Sequence, residues 1–160
     1  MKENEKFEDF LLDNPEGWID ALPEFQQEIF RELLSNGKGY DDIAIHWLRA
    51  SAHNTRPFGA IDPRILSDSF LENLKFEIEK FICGDPAYEN ERSKLFGENG
   101  IGKAYAISCV SVAISQKISV APMFLSPLIA LILASFGKIA INTWCVTRRS
   151  QRENKNNEKP

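Results

Sequence analysis

The seven residues Gly97-Glu98-Asn99-Gly100-Ile101-Gly102-Lys103 match G-x-x-x-x-G-K. At that spacing a loop wraps backbone N–H groups around phosphates and extends a lysine to the terminal ones. The next residue is Ala104, which has no hydroxyl for Mg²⁺. The preceding stretch, Glu91–Phe96, is too charged for the buried strand such a loop follows, and no acidic residue between Glu98 and Glu153 completes a metal site. The segment therefore reads as a glycine-rich linker. His46 and His53 are seven apart and share a helical face, but two histidines without a third ligand make a poor metal site. Cys83, Cys109 and Cys145 are widely spaced, with no C-x-x-C, so neither a zinc site nor a disulfide scaffold is expected. Reduced thiols are the simplest account, with Cys109 and Cys145 packing as small hydrophobes in apolar runs. Asp41-Asp42 reads as a helix start. No G-x-S-x-G nucleophile motif occurs. The sequence names no catalytic, cofactor-binding or metal-ligating residue, and the expectation is a protein that is not an enzyme.

Two further patterns favour ordinary packing. Glu28–Ala50 has the form helix, glycine-containing turn, helix, but its second helix offers only His46 and Arg49 to bases, in acidic surroundings that neutralise phosphates poorly. In the loop Thr55-Arg56-Pro57-Phe58-Gly59, Phe58 reads as a plug for the core and Arg56 as a weaker docking candidate.

These residues sit in a chain of uneven charge. Of 160 residues, 43% are apolar and 26% charged, a globular composition, and the net charge is −4. Residues 1–100 carry 21 acidic against 11 basic residues, a net of −10; residues 101–160 carry 2 against 8, a net of +6. An acidic front is joined to an apolar, weakly basic back. Nucleic acid is not an expected partner of such a front; a membrane or a protein partner is. The N-terminus is charged and lacks the apolar core of a cleavable signal, so a cytoplasmic origin is expected.

The front has helical periodicity and no strict alternation. Phe7, Phe10 and Leu11 recur at helical spacing, and Asn14-Pro15 starts the turns of Trp18, Ile19 and Leu22. Pro23 restarts a helix with Phe25, Ile29, Phe30, Leu33 and Leu34 on its inner face, ended by Asn36-Gly37. Ile43, Trp47 and Leu48 line the next. Asp62-Pro63 opens a long helix through Leu66, Phe70, Leu74, Ile78 and Phe81, closed by Gly84 and Pro86.

In the back, Ala104, Ser108, Ser111 and Ser115 put small side chains on one helical face, which lets another helix approach closely. Ile118–Gly137 is an uncharged run with a mean hydropathy of roughly 2, in the transmembrane range. Pro122 and Pro127 interrupt it, so the straight helix is expected to begin near Pro127. Ser135, Lys138, Asn142 and Cys145 share a face of that helix and would turn toward the small-residue face. Trp144 with Arg148 and Arg149 resembles a cytoplasmic membrane interface. A hairpin bent near Val120–Pro127 satisfies these facts.

The fold class expected is all-α: an acidic bundle over residues 1–96, a linker over 97–103, an apolar helical hairpin over 104–149 and a polar tail over 150–160. The function expected is non-enzymatic. The bundle binds a protein partner, and the hairpin attaches to or enters a membrane from its cytoplasmic face. Leu128, Ile129, Leu131, Ile132, Leu133, Phe136, Trp144, Arg148 and Arg149 would then be membrane-facing. That layout is similar to small bacterial membrane-acting effectors or their regulators. The competing expectation is a cytoplasmic interaction subunit whose hairpin is buried in its own core or an oligomer interface. No cofactor or small-molecule substrate is expected.

Overall fold

Eight apolar or small residues in a row, Pro127–Ala134, are buried without a gap, and they set the architecture. The computed structural model describes residues 16–55, 68–96 and 102–135, with Thr143, Cys145–Thr147 and Ser150. In chain order it contains α1 (Gly17–Asp20), α2 (Glu24–Ser35), α3 (Tyr40–Thr55), α4 (Asp68–Ile82), a 3₁₀ turn (Pro86–Tyr88), α5 (Glu89–Phe96), α6 (Lys103–Ile118) and α7 (Pro122–Ser135). The protein is all-α, and the described residues contain no strand.

Local chemistry sets the ends of these helices. Gly37 and Gly84 hold φ of +86° and +93°, the left-handed conformation that closes α2 and follows α4. Asp85 caps the 3₁₀ turn by accepting from the N–H of Ala87 at 2.9 Å. Arg92 donates to the carbonyls of Phe81 (3.3 Å) and Asp85 (2.8 Å), covering the C-terminal end of α4.

The apolar pair is α6 and α7, bent by 118° across a short break in which Ser119 takes φ +57°. Their 16 and 14 residues reach about 24 and 21 Å at 1.5 Å per residue, and no single helix among those described is long and apolar enough to cross a bilayer. Pro122 is the first residue of α7, where a missing N–H costs nothing. Pro127 lies inside α7, which corrects the expectation that the straight helix starts there. It sits in the second turn, so the carbonyl deprived of a donor is that of Met123, a residue 85% exposed and open to water.

α7 packs on α6, α3 and α1, and α6 packs in turn on α4 and α5. Leu125, Leu128, Ile129, Leu131, Ile132 and Leu133 are all at most 4% exposed. Each contributes about 1.5–3 kcal/mol relative to exposure. Trp18, Phe30, Ile43, Leu48, Leu74, Ile78 and Phe81 of the acidic half close the same core. A helix apolar on every side needs either lipid or a surrounding protein shell; here amphipathic helices with their own apolar stripes to cover provide the shell. Phe7, Phe10, Leu11, Asn14-Pro15, Arg56–Gly59, Asp62-Pro63, Leu66, the Gly97–Ile101 stretch, Lys138, Asn142 and the tail from 151 lie outside the described residues.

Candidate functional site

The five residues of α7 that the sequence assigns to lipid contact, Leu128, Ile129, Leu131, Ile132 and Leu133, face the chain's own helices in this conformation. Phe136, Trp144, Arg148 and Arg149 lie outside the described residues. The small-residue face of α6 is reoriented too: Ser111 is buried and its hydroxyl lies 3.1 Å from that of Ser126 on α7, whereas Ala104 and Ser108 are exposed. The expected docking of Ser135, Lys138, Asn142 and Cys145 on that face involves Lys138 and Asn142, which lie outside the described residues. The buried residues of α6 are Ala106, Ile107, Val110, Ser111, Ala113 and Ile114, and of these Ser111 meets Ser126 of α7.

Among the chemically capable residues, Lys103 of the glycine-rich segment lies over the Trp18 ring at 5.5 Å, a cation–π contact within the fold. His46 is exposed on α3 beside Arg49, along an open groove of about 710 Å³ that also meets Lys38 and Asp42; the side chain of His53 is outside the described set. Asp41, in the first turn of α3, pairs with Lys75 of α4 at 3.0 Å. No group of three metal-ligating side chains occurs among the described residues. Glu79 of α4 is wholly buried.

Cys83 and Cys145 form a disulfide with a Cα–Cα distance of 5.8 Å, which corrects the expectation of three reduced thiols. The two are 62 residues apart. The bridge ties the end of α4 to the segment beyond α7, so α5, α6 and α7 lie inside one covalent loop. Cys109 is the free cysteine, half-buried on α6.

Tyr88 is buried at the centre of a small polar network. Its hydroxyl donates to Glu77 at 2.8 Å, Glu77 also pairs with Lys80 at 3.1 Å, and the Lys117 ammonium lies 5.8 Å from the ring. Burial, the hydrogen bond to Glu77 and the charges of Glu77, Glu91 and Asp85 hold the phenol far above its ordinary value. Tyr40 is raised as well, by burial and then by Glu16.

Among the described residues, large apolar side chains are exposed in pairs on α2 and α6 and singly at Met123 and Val146. On α2, Phe25 is 59% and Ile29 38% exposed, one turn apart among the exposed acids Glu24, Glu28 and Glu32. The sequence had placed Phe25 and Ile29 on the inner face. The core takes Phe30 and, partly, Leu33 and Leu34, and an apolar set spanning that arc cannot all turn inward. On α6, Tyr105 and Val112 are exposed, at 52% and 48%. No family model, curated protein or solved structure shows significant similarity to this chain.

Proposed function

We propose that this chain is a non-enzymatic helical interaction protein. Its acidic half docks a protein partner through the outer face of α2. The observation that carries this reading is the pair Phe25 and Ile29, exposed within a collar of glutamates while the other large apolar side chains of α1–α4 that the structure describes turn inward or lie partly covered. Arg31, the basic residue on α2, is already paired with Asp20, so the collar presents net negative charge. The partner that fits is a protein with an apolar groove rimmed by Lys or Arg. A photo-crosslinking side chain at position 25, introduced in the native cell, tests this. It should form a protein adduct that Ile29→Glu abolishes and that lysines at the groove rim of the partner sustain. Adduct formation equal to that from an exposed control position such as Met123 would reject the α2 face.

A second reading has its own observation. α6 and α7 together reach the length and composition of a membrane span, bent by 118°. On this reading the pair leaves its shell and enters the cytoplasmic face of a membrane. The chain would then resist extraction by salt and alkali and require detergent. Recovery of full-length protein in the salt-washed fraction without detergent would reject it.

A further inference from the structure

We propose that the outer face of α6 is a two-fold interface with a second copy of this chain. This inference is independent of the α2 surface. Tyr105, Ser108, Cys109, Val112 and Gln116 form one stripe along α6 and line an open groove of about 270 Å³ against α5. The stripe carries no charge, in a chain of which 26% is charged. The lysines at the two ends of α6 are turned back onto the body: Lys103 over the Trp18 ring and Lys117 over the Tyr88 ring. The remaining charges on the groove are Glu91 and Lys94 of α5, one turn apart and of opposite sign.

That rim is what selects a second copy over a different partner. An isologous contact needs a surface that complements itself. Antiparallel apposition of two α6 helices about a two-fold axis through Ser108 and Cys109 brings position 105 of one copy opposite position 112 of the other. The large Tyr105 then meets the small Ser108 and the short Val112 of the second copy, a knob over a hollow. The same axis brings Glu91 of each copy toward Lys94 of the other, giving two equivalent ion pairs. Cys109 falls near the axis, where its thiol meets its own equivalent.

Light scattering on the full chain, with the thiol at 109 as a positional probe, tests the interface. A dimer is expected, joined by a short bis-maleimide through Cys109, and Cys109→Ser removes the crosslink. Val112→Glu is expected to give a monomer. Glu91→Lys turns both ion pairs into repulsions and should weaken the dimer by at least about fivefold, the scale of one exposed pair; adding Lys94→Glu should restore it. All four substituted side chains are exposed or half-buried, and unchanged far-UV circular dichroism confirms that the variants fold. A monomer up to the solubility limit would overturn the proposal, as would a dimer indifferent to Val112→Glu or one whose Glu91→Lys loss is not recovered by the charge swap.

Discussion

Replacing Leu131 with alanine separates a helix sealed in its own protein from one meant for lipid. Leu131 is fully buried in the middle of α7. Truncating a leucine so enclosed loses its transfer energy and leaves a cavity, together about 3–5 kcal/mol. A domain's whole stability is about 5–15 kcal/mol, so the loss is a large share of it. With a urea dependence of about 2 kcal/mol per molar, the unfolding midpoint should fall by about 2 M. A leucine facing lipid or disordered solvent-exposed chain would cost only about 0.5 kcal/mol on truncation. The assay is urea unfolding of the full chain in detergent-free buffer, followed by far-UV circular dichroism. Met123→Ala, at an exposed position near the start of α7, is the control, expected to shift stability by no more than about 0.5 kcal/mol. If Leu131→Ala moves the midpoint no further than Met123→Ala does, the packing described for α7 is wrong.

Three other outcomes follow from the same structure. Cys83→Ser, or reduction of the wild type, opens a loop spanning 62 residues and should cost about 4 kcal/mol by loop-closure entropy, read as a lowered urea midpoint that the double variant with Cys145→Ser reproduces. Tyr88→Phe removes the hydrogen bond to Glu77 and should cost about 1 kcal/mol at neutral pH. Because the folded phenol is raised, the Tyr88 contribution to wild-type stability is complete below pH 10.0, the ordinary tyrosine value, and is lost as pH rises above it, where the unfolded chain alone ionises; an alkaline stability titration should show that slope in the wild type and a shallower one in Tyr88→Phe. A fragment ending at Phe96 lacks α6 and α7, on which α1, α3, α4 and α5 pack, and should show no cooperative thermal transition; a sharp transition would mean that the acidic half folds alone.

Much of the fold is readable in the residues themselves. Phe70, Leu74, Ile78 and Phe81 recur at helical spacing and all turn inward on α4. Ile43 and Leu48 do so on α3, and Gly37 and Gly84 take the positive φ their positions demand. These are local signals, with cause and consequence within a turn or two. What periodicity leaves open is which element covers which. An all-apolar segment such as Leu128–Ala134 has no polar face to point outward, so its pattern is the same in lipid and in a protein core; only the three-dimensional partners, α1 and α3, decide it here. The Cys83–Cys145 bridge was hidden for the same reason, since 62 residues separate its ends. Pro127 misled differently: early in a helix its cost is small, and Met123, four residues before it, is exposed to water. The surfaces most relevant to function, Phe25 with Ile29 and the Tyr105–Val112 stripe, are visible in sequence as apolar residues but not as exposed ones, because exposure depends on how much neighbouring helix is available to cover them.

Amide hydrogen exchange on the full chain in detergent-free buffer tests the enclosure of the apolar pair most directly. Amides from Leu128 to Ala134 should be among the slowest in the protein, exchanging only on global unfolding together with those of Ile43–Leu48 and Leu74–Phe81. Rapid exchange across α7, while α3 and α4 remain protected, would show that the acidic half does not hold this helix.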